Sequence, residues 1–134
     1  MIRQLDWRTA ITGALVTLVI LEPPVQVIAA LKVDDRTGAE SYWWVIGALA
    51  VLIGFAAGGW LAARRRPSTP FLHGATAAAI AYAAHLIVRT LIKIAGSDHV
   101  GLNVANTLLV GQIAISLGIL GAYAATRRHA RTAG

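Results

Sequence analysis

The chain of 134 residues contains no cysteine. Disulfides, cysteine-ligated zinc, iron–sulfur clusters and thiol catalysis are therefore excluded. Charge is scarce as well. Asp, Glu, Lys and Arg make up 13% of the residues, about half the share a soluble domain carries. Acidic side chains are the scarcest, six against twelve basic ones, and the net charge is +6. Catalytic patterns are missing too. There is no nucleophile motif, carboxylate pair, metal-ligand spacing or phosphate-binding glycine loop, and Gly58 and Gly59 stand inside an apolar run as packing residues. No apolar run supplies a histidine to face His85, which speaks against bis-histidine haem. Neither an enzyme nor a cofactor or metal is expected, although membrane enzymes can hide a site among few polar residues.

What is present is apolar. Hydrophobic residues make up 57% of the chain and the mean hydropathy is +0.64. A membrane-spanning helix needs about 20 mostly apolar residues, and four segments supply them: 9–33, 42–63, 70–95 and 102–126. The fold class expected is all-α, a bundle of four transmembrane helices forming one integral membrane domain. The connections are short and leave no room for a soluble domain. Asp6 can cap the first helix, and Thr69 followed by Pro70 reads as the N-cap and first-turn proline of the third. Trp7, Tyr42, Trp43, Trp44, Trp60 and Tyr123 fall near span ends, where an aromatic belt anchors helices in the interface.

Charge sets the orientation. One side carries Arg3, Arg8, Arg64, Arg65, Arg66, Arg127, Arg128 and Arg131. The other carries Lys32, Arg36, Arg89 and Lys93, offset by Asp34, Asp35, Glu40 and Asp98. By the positive-inside rule the first side is cytoplasmic, and so are both termini. The basic excess thus reads as topology and attraction to anionic headgroups, with no nucleic-acid partner. Asp6, Glu22 and the lack of a small-residue cleavage site argue against a signal peptide, so the first helix is expected to be retained. An arginine- and alanine-rich, lysine-poor composition suits a high-GC bacterium, and the location expected is its inner membrane.

The halves are similar. At an offset of 64 residues Gly47, Ala50, Gly54 and Arg64 match Gly111, Ala114, Gly118 and Arg128; at 61, Gly13, Ala14 and Lys32 match Gly74, Ala75 and Lys93. This implies a helical hairpin used twice, with the halves related by an axis along the membrane normal. Gly47, Gly54 and Gly58 lie on nearly one face of span two, as Gly111 and Gly118 do on span four. In lipid, glycines permit close backbone approach. They are expected to pack spans two and four within one chain; a homodimer interface is the other reading.

Glu22 lies roughly 18 Å into the first span, near the midplane, where an ionised carboxylate is costly. Pro23 and Pro24 deprive the Val19 and Ile20 carbonyls of their helical donors, so a kink or break is expected at Glu22. Gln26 is one turn further on the same face. In span three, Tyr82, His85, Arg89 and Lys93 form one polar stripe, with His85 roughly 21 Å from the inner end. Glu22, Gln26, His85, Arg89 and Gln112 are therefore expected to cluster, with Glu22 touching His85 or Arg89. Such a cluster either locks spans one, three and four together or binds a proton, ion or small ligand.

From Gly54 to Tyr82 the chain reads GFAAGGWLAARRRPSTPFLHGATAAAIAY. Its glycines, the Ala-Ala-Arg, the short basic turn and the His-Gly-Ala opening the next helix resemble the small four-helix bacterial membrane proteins of the YrzE type. The Asp6–Arg8 start extends the likeness, which implies a four-span bundle and no particular activity; the Glu22-Pro23-Pro24 feature has no place in that pattern. Small multidrug transporters are also similar in having four short spans and a carboxylate in the first. This chain departs from them in its greater length, its arginine asymmetry, and in Arg89 and Lys93, which would repel a cationic substrate. The function expected is a non-enzymatic structural or accessory membrane subunit, with the bilayer and other membrane subunits or a second copy as partners. The alternative is a small transporter or channel component with a protonatable site at Glu22.

Overall fold

A computed structural model describes residues 5–30, 40–96 and 103–132. They form four helices and, among the described residues, no strand: α1 (Trp7–Ala30), α2 (Glu40–Arg65), α3 (Pro70–Ala95) and α4 (Val104–Thr132). All four are long and apolar enough to cross a membrane. Lys32, Asp34, Asp35, Arg36 and Asp98 lie outside the described residues, as does Arg3.

The helix starts follow from local chemistry. Asp6 caps α1: its Oδ1 accepts the Arg8 N–H at 3.1 Å and its Oδ2 the Thr9 hydroxyl at 2.9 Å. Asn103 does the same for α4, accepting the Asn106 N–H at 3.1 Å. Pro70 opens α3 where a missing N–H costs nothing. Thr69 makes no side-chain cap there; its hydroxyl lies 3.0 Å from His73 Nδ1 instead. The break expected at Glu22 does not occur, and α1 runs unbroken through Pro23 and Pro24. Pro23 stands on the outer face one turn above Val19, which is also exposed. Pro24 removes a second helical bond, at half-buried Ile20, and α1, packed on α2 and α3, continues through both losses.

The core is made of small residues. Ala10, Ala14, Ala62, Ala77, Ala78, Ala81, Ala114, Ala122 and Ala125 are buried, with Leu21 and Phe55 as the larger apolar members. The bulky side chains, among them Leu15, Val19, Ile53, Ile87, Leu108 and Leu120, point outward. This is the arrangement lipid favours: burying apolar surface gains little there, and close backbone packing gains more.

Glycine sets the seams, though not all as expected. A Cβ at Gly13 would stand 2.7 Å from the Gly58 carbonyl oxygen, and one at Gly54 3.2 Å from that of Thr17. Gly47 meets Ile28. The Gly47–Gly54–Gly58 face therefore packs on α1, not on α4. Gly111 faces the Tyr82 ring of α3, and Gly118 faces both α3, through Gly74 and Ala78, and Gly59 of α2. The α2–α4 seam is made by Gly59 against Gly118 and Gly121 against Ala56. Glycine seams therefore run both within each hairpin and between the two.

Helix order around the bundle is α1, α2, α4, α3, with α2 and α3 meeting across the middle; α1 and α4 do not meet among the described residues. A two-fold axis along the membrane normal that exchanged the hairpins would pair α1 with α4 as it pairs α2 with α3. The packing therefore lacks the two-fold relation that the matching glycines suggested.

Candidate functional site

Glu22 and His85 each stand fifteen residues past the first residue of their helices, which run in the same direction. They therefore reach the same depth, and α1 packs beside α3. Glu22 Oε1 lies 2.8 Å from His85 Nδ1. Gln26, one turn beyond Glu22, donates from Nε2 to Glu22 Oε2 at 2.9 Å. Both carboxylate oxygens are thereby satisfied by donors from the protein. The Glu22 and His85 side chains are 20% and 17% exposed, so the pair is mostly withdrawn from its surroundings. A proton bound here has two alternative seats 2.8 Å apart, the imidazole nitrogen and the carboxylate oxygen.

Two expected members stand apart. Arg89 is exposed and makes no ion pair among the described residues. It lies a turn beyond His85, and the Glu22 oxygens are already occupied. Gln112 is exposed too, and its helix, α4, packs on α2 and α3 without touching α1, which keeps it away from Glu22. The intramembrane cluster is thus Glu22, Gln26 and His85. Of the glycines, Gly47, Gly54, Gly58, Gly111 and Gly118 all line helix seams.

A second polar group gathers at the arginine-rich end. His73 is fully buried. Its Nε2 accepts the Asp6 backbone N–H at 3.0 Å. That nitrogen therefore carries a lone pair, and Nδ1 carries the hydrogen, which it donates to the Thr69 carbonyl at 2.9 Å. Asp6 Oδ2 meanwhile accepts from Arg66 Nε at 2.9 Å and Nη2 at 2.8 Å. One aspartate thus ties the start of α1 to the α2–α3 turn and to the first turn of α3. Asp6, Thr69 and His73 are each visible in the sequence near one membrane face, but a lone histidine opening a helix carries no sign of its partner.

The chain matches no family model, no curated protein and no solved structure.

The chemistry available is that of hydrogen-bonded carboxylates and neutral polar groups. Among the described residues, no three His, Asp or Glu side chains gather closely enough to hold a metal ion. Cationic side chains at the arginine-rich end rest on aromatic rings: Arg64 lies 4.6 Å from the Trp60 ring centre and Arg127 4.9 Å from that of Tyr123. Both are interfacial anchors of the kind a headgroup layer accepts.

The Asp6 clasp carries a pH prediction. The Arg66 guanidinium, helped by the Thr9 hydroxyl, lowers the Asp6 carboxyl from 3.8 to about 2. A carboxyl depressed in the folded state stabilises it above the unfolded value, and that contribution fades as pH falls through the folded one. Unfolding followed in detergent should therefore show a loss of stability between about pH 4 and pH 2 that is shallower in Asp6→Asn, which keeps the cap but not the charge. Arg66→Gln should flatten the same region. An unchanged slope in both variants would remove the clasp from the account.

Proposed function

We propose that this chain is a structural or accessory subunit of the bacterial inner membrane, multi-pass, with both termini in the cytoplasm, and that it is not an enzyme. The orientation rests on the arginine asymmetry. The bacterial setting rests on composition and on the resemblance to YrzE-type proteins. The observation that carries the role is the use of polar groups inside the bundle. Glu22 is held from both sides by Gln26 and His85, and Tyr82 donates to the Thr107 carbonyl at 2.7 Å. These contacts join α1 to α3 and α3 to α4, and with the glycine seams they make a closely packed bundle. Short loops leave such a bundle to act through its lipid-facing sides, on neighbouring membrane proteins.

The second reading, a transporter or channel component, draws on one feature. The Glu22–His85 pair can hold a proton on either of two atoms, which is what a proton-coupled site requires.

Extraction from native membranes in mild detergent, followed by intact mass measurement, tests the role. The expected result is an assembly containing other membrane proteins. A mass accounted for by copies of the 14.1 kDa chain alone would contradict the accessory role.

A further inference from the structure

Polar side chains at membrane depth need partners, because lipid tails supply neither donors nor acceptors. Several on the described helices find them inside the chain. Glu22, Gln26 and His85 satisfy one another, Tyr82 reaches Thr107, and the hydroxyls of Thr17 and Ser116 donate to carbonyls one turn back. Gln112 does not. It stands eight residues inside α4, about 12 Å from the helix start at 1.5 Å per residue, well within the hydrocarbon layer. Its side chain is exposed on the outside of the bundle and has no hydrogen-bond partner among the described residues. A carboxamide facing lipid is costly where it stands, and the cost disappears once a second amide meets it.

We propose that Gln112 marks the contact between two copies of this chain, with their α4 helices side by side and parallel about a two-fold axis along the membrane normal. An amide donates and accepts at once, so two Gln112 side chains at one depth complete a reciprocal pair. A residue meets itself at one depth when both copies are inserted alike, which the arginine asymmetry imposes. A self-complementary patch of this kind is what a two-fold interface uses. The rest of the face suits close approach. Ala105 lies two turns before Gln112 and Ser116 one turn after it, and both are small and exposed; the Ser116 hydroxyl already donates within its own helix, its oxygen 2.8 Å from the Gln112 carbonyl oxygen. Ile119 continues the stripe, 38% exposed. The face lies on the helix that does not meet α1, at an outer corner of the bundle. This pairing goes beyond the accessory role and needs only that all copies insert the same way.

The lack of cysteine makes single-cysteine variants clean reporters. In vesicles of neutral lipid holding the purified chain, Ser116→Cys should form a disulfide dimer on mild oxidation. Leu52→Cys, on an exposed position of α2, should not. Adding Gln112→Leu should raise the dissociation constant about tenfold, the scale of interhelical polar contacts in membranes, and should leave the thermal midpoint of the monomeric fold unchanged. The proposal is overturned by a chain that stays monomeric, by a dimer indifferent to Gln112→Leu, or by cross-linking at Leu52 instead of Ser116. It is overturned equally if a photo-cross-linker in place of Leu109 attaches, in native membranes, to a different protein. Because the vesicles contain this chain alone, failure here is separate from failure to find other subunits in the native assembly.

Discussion

Replacing Gly118 with alanine should destabilise the bundle by about 2 kcal/mol, within the range for overpacking a filled core, and Gly118→Leu should leave little folded protein. Alanine is the better helix former by about 1 kcal/mol, so propensity alone gives the opposite sign. Packing decides the matter. A Cβ at Gly118 would stand 2.6 Å from the Ala78 Cβ and 2.6 Å from the Gly74 carbonyl oxygen. A methyl group and a backbone oxygen cannot swing aside as the end of a long side chain can, so α3 and α4 would have to separate. Gly59 meets the same residue from α2, and the disturbance spreads to a third helix. Gly47→Ala is the control. Among the described residues its new Cβ would meet only the end of the Ile28 side chain, at 3.3 Å, a flexible tip that has to give by only a few tenths of an ångström, so the expected effect is far smaller than at Gly118. Helical signal followed during unfolding in mixed detergent measures both. Equal effects at Gly118 and Gly47 would mean that close backbone approach does not organise this bundle.

The second large effect belongs to the Glu22–His85 pair. Glu22→Leu and His85→Phe should each cost about 3 kcal/mol, because each leaves a withdrawn polar group without its partner. The double variant should recover most of that loss, since two apolar side chains facing each other across the α1–α3 seam leave only the Gln26 amide without its acceptor. Coupling of that size is what a double-mutant cycle detects. Additive losses would show that the two side chains do not act on each other. Glu22→Gln is the milder change: its amide oxygen still accepts the His85 hydrogen, so it removes the charge while keeping much of the contact.

The spans, their ends and the depth of the polar residues could be read from the sequence because they depend on one dimension, distance along a helix. Counting residues from the span ends puts Glu22 and His85 at one level, and in the structure they touch. Partner choice depends on the other two dimensions. Arg89 shares the His85 stripe, yet one more turn carries it past Glu22. Gln112 has a suitable depth but sits on α4, and nothing in its own helix says that α4 stays away from α1. The glycines fail in the same way. Gly47, Gly54 and Gly58 announce a close approach without naming the neighbour, which is α1. Pro23 and Pro24 overstate local disruption, because a helix packed on two neighbours continues through them, with Pro23 on its outer face and Pro24 half-buried. His73 was the hardest to foresee. Its partner is a backbone N–H at Asp6, and a backbone group leaves no residue-type signature.

The central claim is that the intramembrane carboxylate holds helices together and does not move protons. Proton flux in sealed vesicles containing the purified wild-type chain, under an imposed pH gradient, tests it most directly. The account predicts leakage equal to protein-free vesicles, with Glu22→Gln no different. Flux above that background, abolished by Glu22→Gln while the fold keeps its thermal stability, would contradict it and make the Glu22–His85 pair a transport site.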